Sequence, residues 1–206
     1  EVILVDQAPS AQNGQVSGAD LAKVEQRARQ LVVERNGFRA DQFHHPANRG
    51  AHFTTTGPEL WQQSGRQLDA FVDFVGSGGT YAGTIQALKG FNSACKGYVV
   101  EPDGAAVLSG QDATQPEHPI QGGGYAMQQL TALVSSDIDG FLTINASEAK
   151  DATRGLAQLE GIFAGFSAGA NLAAAAKLLR RKHQGETVAI VICDSGLKYL
   201  STDLWG

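Results

Sequence analysis

The chain has 206 residues, of which 42% are hydrophobic and 18% charged, with a formal net charge of -5. That is apolar enough for one or two domains with a packed core, and it excludes a disordered chain. The acidic balance argues against a general nucleic-acid surface, and no apolar run reaches the ~20 residues of a membrane span.

Residues 2–5 form a short β-branched run that predicts a strand, and residues 8–18 collect Pro, Ser, Asn and Gly as a turn-rich segment. Asp20 is expected to cap a helix whose apolar positions Leu21, Val24, Ala28, Leu31 and Val32 recur at three and four, with Gly37 as its stop. A strand follows at 70–75, a helix at 81–89 and a strand at 97–100. Residues 109–119, with Gly110, Pro116 and Pro119, read as a surface loop rather than a domain boundary. A strand is predicted at 141–144, then a helix to about Glu160 capped by Ser147, with Ala149, Ala152, Leu156 and Leu159 on one face. The Ala-rich run 171–179 is helical by propensity, and the basic cluster Lys177, Arg180, Arg181 and Lys182 reads as its solvated end. Residues 187–193 form a continuous apolar strand, as in a sheet covered on both faces. The alternation predicts an α/β fold with a parallel or mostly parallel sheet flanked by helices. No internal repeat or low-complexity segment interrupts it. Cys95 and Cys193 are too few for a disulfide framework and suit a reducing compartment, so a cytoplasmic protein is expected.

The segment Val75-Gly76-Ser77-Gly78-Gly79-Thr80 ends an apolar run and opens into a helical pattern. Successive backbone N–H groups there can converge on an anion at a helix N-terminus, which makes the segment a candidate phosphate cradle. It is no P-loop, because no Lys follows the second glycine. Gly76, Gly78 and Glu101 approach the dinucleotide fingerprint, but Tyr81 stands where its third glycine belongs. The alternative is a tight turn that simply needs glycine. His44, His45 and His52 have no intervening Cys or carboxylate and make a poor metal-ligand pattern, so they are expected as exposed loop residues and no metal site is assigned. Cys193, with no His nearby in sequence and expected to be buried at a strand end, reads as an inert thiol.

Seven ordered segments carry a resemblance. They are Asp41-Gln42-Phe43-His44-His45-Pro46-Ala47-Asn48, Ala51-His52-Phe53-Thr54-Thr55-Thr56-Gly57-Pro58-Glu59-Leu60-Trp61, the Gly76 to Thr80 loop, Val99-Val100-Glu101-Pro102, Ile120-Gln121-Gly122-Gly123-Gly124, Gly165-Phe166-Ser167-Ala168-Gly169-Ala170-Asn171, and Asp194-Ser195-Gly196-Leu197-Lys198-Tyr199-Leu200-Ser201-Thr202. In order and spacing they resemble the cysteine synthase (O-acetylserine sulfhydrylase) family, fold type II pyridoxal-phosphate enzymes with a tryptophan synthase beta-like fold. The resemblance implies pyridoxal 5'-phosphate as cofactor, its phosphate held by Gly76, Ser77, Gly78, Gly79 and Thr80. It implies that Ser167 hydrogen-bonds the pyridine nitrogen, a role compatible with capping the Ala-rich helix. A neutral hydroxyl there leaves the nitrogen unprotonated, favouring β-elimination and β-replacement over transamination. Gln42 matches a residue near the substrate carboxylate. Gly122 matches a glycine lying against the cofactor, with a plain flexible loop as the alternative. Cys193 stands where many relatives have Pro.

The family holds its cofactor on a lysine in a segment resembling Pro-Ser-Ser-Ser-Val-Lys-Asp-Arg. None of Lys23, Lys89, Lys96, Lys150, Lys177, Lys182 and Lys198 sits in such a context, so no catalytic residue is assigned in this chain. A substrate loop of the Thr-Ser-Gly-Asn-Thr-Gly type is also absent from the sequence. The resemblance therefore implies the C-terminal two-thirds of a longer protein, with 1–45 a remnant of a smaller N-terminal domain and 46–206 the larger cofactor-binding domain. The expected activity is conversion of O-acetylserine and sulfide to cysteine in a homodimer. A cystathionine β-synthase-like replacement is one alternative. A non-catalytic binding module, or one polypeptide of a split enzyme completed by a companion N-terminal polypeptide, are the others.

Overall fold

The computed structural model describes residues 1–7 and 18–206. Four strands, β1 (Ala70–Phe74), β2 (Lys96–Pro102), β3 (Gly140–Ile144) and β4 (Val188–Ile190), form one sheet in the order β3-β2-β1-β4. Every pairing is parallel, as the α/β alternation predicts. The helices are α1 (Gly18–Arg35), α2 (Pro46–Thr54), α3 (Thr56–Gln63), α4 (Gly79–Phe91), α5 (Ala146–Glu160) and α6 (Phe166–Leu179).

All five residues of β1 are buried, and its apolar side chains divide between two cores. Ala70, Val72 and Phe74 pack with Val100, Ile144, Phe166 and Ala170 beneath α6. Phe71 packs with Tyr81, Ile85, Leu88 and Val99 beneath α4. Period-2 side-chain alternation thus covers both faces of the same apolar strand. Helix α2 lies close against α4, where a Cβ on Gly83 would come within 2.2 Å of the Arg49 carbonyl oxygen.

Several local expectations are corrected. Residues 2–5 are not a strand, and Val2 and Leu4 are 85% and 90% exposed. Strand structure requires a hydrogen-bonded neighbour, and none of the four sheet strands pairs with them. The predicted strand 187–193 keeps only three ladder residues, half-buried at the sheet edge. The chain leaves the ladder at Val191, whose carbonyl accepts from the Asn171 side chain. Asn145, not Ser147, caps α5 through a capping box: Glu148 N donates to Asn145 Oδ1 at 2.9 Å and Asn145 N to Glu148 Oε2 at 3.1 Å. Leu159 is 82% exposed, off the packed face of α5. Asp20 lies in the first turn of α1 rather than at its cap, and α1 ends through Asn36 at φ 47° with Gly37 N bonded to Val32 O. Helices α2 and α3 have no counterpart in the sequence reading. The turn-rich prediction at 8–18 falls outside the described residues except at Gly18, the first residue of α1. Among the described residues no helix is long and apolar enough to cross a membrane.

Candidate functional site

The site lies at the carboxyl end of β1, whose connection runs into α4 on one face of the sheet while the start of α6 packs on the other. The chain leaves β1 through Val75, Gly76 and Ser77 and enters α4 at Gly79 with Gly78 as N-cap. No side chain caps that terminus. The N–H groups of the first turn of α4 therefore face outward with a partial positive charge.

Two residues that sequence reasoning missed hold this loop. Asn48, on α2, donates from Nδ2 to Ser77 Oγ at 2.9 Å and to the Gln42 carbonyl at 2.7 Å. Because Asn48 donates, the Ser77 hydroxyl proton remains available to a ligand oxygen. His52, one helical turn further on, shares a hydrogen bond between Nε2 and Thr80 Oγ1 at 3.2 Å, and its Nδ1 meets Thr56 Oγ1 at 2.9 Å. Burial lowers the His52 pKa, favouring the neutral ring. The four-residue spacing of Asn48 and His52 was the available signal, but it acquires meaning only once residues 46–54 are a helix. The expectation of exposed loop histidines fails for His52, which is half-buried on α2. His44 pairs with Asp41 and His45 caps α2, so the three histidines do not converge.

A second glycine segment closes over the strand end. Gly124 N donates to Val75 O at 3.0 Å, and a Cβ on Gly76 would come within 2.8 Å of the Gly122 carbonyl oxygen. Gly122 has φ +103°, a region that favours glycine, and a Cβ built there would lie 3.5 Å from Ser167 Oγ. Gly76, Gly122 and Ser167 are thus brought together. Gln42 joins them through its backbone, held by Asn48, and through the neighbouring Phe43, whose ring lies 6.5 Å from that of Tyr125. Its side chain is exposed and is not brought against Ser167.

Ser167 is buried in the first turn of α6, whose N-cap is Gly165, so the capping alternative does not describe it. Cys193, expected as a buried strand-end thiol, is exposed in the segment that follows β4, because the ladder ends at Ile190. Glu101 is committed to the fold, accepting from Leu108 N at 2.8 Å and Ser109 N at 2.9 Å. Asp73 is buried beneath the site, and burial raises its carboxyl to about 7.

A glycine cradle, an uncapped helix N-terminus and neutral hydroxyls fit a phosphate ester attached to an uncharged heteroaromatic ring. Residues 1–194 match the sequence profile of a family described as "Pyridoxal-phosphate dependent enzyme". This chain belongs to that family. The pyridoxal-phosphate family member is 36% identical to a cysteine synthase of Staphylococcus aureus over 181 residues, 87% of this chain and 57% of the relative. It superposes on an O-acetylserine dependent cystathionine beta-synthase from Helicobacter pylori with a TM-score of 0.83 at 33% identity, covering 90% of this chain and 60% of that one. A solved O-ureido-L-serine synthase gives a TM-score of 0.78 at 36% identity, covering 91% and 57%. The chain therefore spans somewhat under two-thirds of the length of these relatives.

The lysines of this family member are engaged elsewhere. Lys89 and Lys96 pair with Asp139, Lys150 with Asp203, Lys177 with Glu148 and Lys198 with Asp194, while Lys23 donates to the Gln7 carbonyl. Lys182 is exposed in the turn between α6 and β4, at the opposite end of the sheet from the glycine loops.

Proposed function

We propose that this site binds pyridoxal 5'-phosphate and serves β-replacement on an activated serine, converting O-acetylserine and sulfide to cysteine. The observation that carries the reading is the convergence of Gly76, Gly122 and Ser167, which presents a neutral hydroxyl to the ring end of the cradle. The N–H groups from Gly76 to Thr80, with the Ser77 and Thr80 hydroxyls, hold the phosphate; Asn48 and His52 fix the orientation of those hydroxyls. Ser167 donates its proton to the pyridine nitrogen without transferring it. When bound, the cofactor supplies an electron-withdrawing ring that assists departure of a β-substituent, and an unprotonated ring nitrogen limits it to that role rather than transamination. Gly122 lets the backbone lie against the ring. Gln42, on a segment anchored to the phosphate loop by Asn48, offers an amide to the substrate carboxylate. A cystathionine β-synthase-like exchange, with a thiol amino acid in place of sulfide, would use the same residues, and the Helicobacter pylori relative supports it.

The cofactor-bearing amine is assigned to none of the seven lysines, because the placement described above engages six and leaves Lys182 at the far end of the sheet. Borohydride reduction of the protein with its cofactor, followed by peptide mass analysis, tests this assignment. The expected result is phosphate-sensitive binding of pyridoxal phosphate to these residues, with any reduced pyridoxyl group on a companion polypeptide and no turnover by the 206 residues alone. A pyridoxyl group on Lys198 or another lysine of this sequence would overturn it.

A further inference from the structure

The glycine segment that closes over the end of β1 is held by a histidine that the proposed function does not use. Gly124 donates its N–H to Val75 O at 3.0 Å, and its carbonyl oxygen lies 2.8 Å from His118 Nε2. A carbonyl only accepts, so Nε2 carries the proton and donates. The neutral imidazole has one ring proton, which leaves Nδ1 bare, and that atom is buried with no hydrogen-bond partner among the described residues. Burial lowers the His118 pKa against the opposing pull of the Gly124 carbonyl, favouring the neutral ring. One backbone contact therefore sets the tautomer.

The imidazole is also walled in. Its edge meets Phe74, the last residue of β1, with ring centroids 6.4 Å apart and planes at 89°. A Cβ on Gly123 would come within 2.9 Å of the same Phe74 ring, and one on Gly124, at φ +65°, within 2.3 Å of Pro102 Cγ. Ile120, two residues after His118, is fully buried in the core beneath α6. The loop 118–124 thus has its foot in the core, its two ends joined by the His118–Gly124 bond, and its Gly122 against Gly76 and Ser167. We propose that His118 is a positioning residue for the cofactor ring, which by donating from Nε2 to the Gly124 carbonyl holds the Gly122 backbone where the ring must lie. The proposal rests on the reading of this site as one for pyridoxal phosphate. The phosphate end is held separately from α2, by Asn48 on Ser77 and His52 on Thr80, so His118 acts on the ring and not on the phosphate.

The test compares pyridoxal 5'-phosphate with inorganic phosphate, which occupies the cradle but has no ring. Dissociation constants are measured by equilibrium dialysis on the full chain and on the variants His118→Leu, His118→Gln and His118→Asn. His118→Leu keeps apolar bulk against Phe74 and removes the donor. It should weaken pyridoxal phosphate binding about fivefold, the equivalent of one ordinary hydrogen bond, and leave inorganic phosphate within about twofold. A Gln amide nitrogen reaches the position of Nε2, whereas that of Asn reaches only the position of Nδ1. His118→Gln should therefore restore binding to within about twofold of wild type, and His118→Asn should not. If His118→Leu does not fold, the Gln and Asn variants carry the same comparison. Equal weakening toward both ligands, or equal effects of the Gln and Asn variants, would show packing alone and overturn the proposal. If the wild type prefers pyridoxal phosphate over inorganic phosphate and every variant keeps that preference in full, the role of His118 fails while the cofactor reading stands. If the wild type binds pyridoxal phosphate no more tightly than inorganic phosphate, the cofactor reading itself is wrong.

Discussion

Asp73 sits on β1 with 4% of its surface exposed, and burial holds its carboxyl at about 7, well above the usual carboxylate range. A folded-state pKa raised above the unfolded value means that the native state keeps a proton the unfolded chain has lost. Stability attributable to this group should fall as pH rises from about 4 toward 7 and level off above that. Glu101, also raised by burial, acts in the same sense, whereas Asp139 and Glu148, lowered by their lysine partners despite burial, matter only at more acidic pH. Asp73→Asn isolates the single contribution: urea midpoints of wild type and variant at pH 4.5 and 7.5 should show the wild type losing more stability over that interval. Parallel pH profiles would place the Asp73 proton elsewhere. Nothing in the local sequence marked Asp73, because its burial depends on α4, α6 and two neighbouring strands.

Among the elements, those with a strong local signal formed where predicted, although α6 begins at Phe166, ahead of the predicted 171. Strands β1, β2 and β3 and helices α4, α5 and α6 are apolar or carry a clear period, so pattern and tertiary environment agree. Helices α2 and α3 are short and polar, and no apolar period announces them. They exist because His45 caps α2 with Pro46 following at its first position, and because glycines on α4 allow close approach. The start of α5 gives a discriminating experiment. Asn145→Ala removes an Oδ1 that accepts from Glu148 N and should cost about 1 kcal/mol, whereas Ser147→Ala should be near neutral. Equal losses in chemical denaturation would restore Ser147 as the cap. Asn145 and Ser147 are both good cap types close to the start of the apolar face, and only the hydrogen-bond geometry separates them.

At the scale of the molecule, β1 is the shared wall of two cores, and its side chains couple the helices on either face. Phe71→Ala empties a site with no exposed surface and should cost about 3–5 kcal/mol. Far-ultraviolet dichroism and tryptophan fluorescence should report one coincident, earlier transition; separated transitions would mean that the two cores unfold independently. The far end of the sheet is tied differently: Tyr98 OH lies 2.7 Å from His183 Nε2, and His183 Nδ1 bonds Glu186, closing the turn after α6 onto β2. The glycine loops and Ser167 thus occupy one end of a sheet whose other end is fastened by a buried polar chain.

Fold class, the order of most elements and the glycine loop were legible in the chain because each depends on near neighbours: apolar period, helix propensity, and a turn that tolerates no side chains. The cofactor-family membership was legible for a related reason, since seven short motifs keep their order along the sequence. What folding alone decided is which distant residues meet. Asn48 reaches Ser77, His52 reaches Thr80, and Asn171 bridges Phe74 and Val191 beside Cys193, because α2 packs on α4 over one face of the parallel sheet while α6 covers the other. Such contacts join residues twenty to a hundred positions apart, and no local pattern of polarity encodes them.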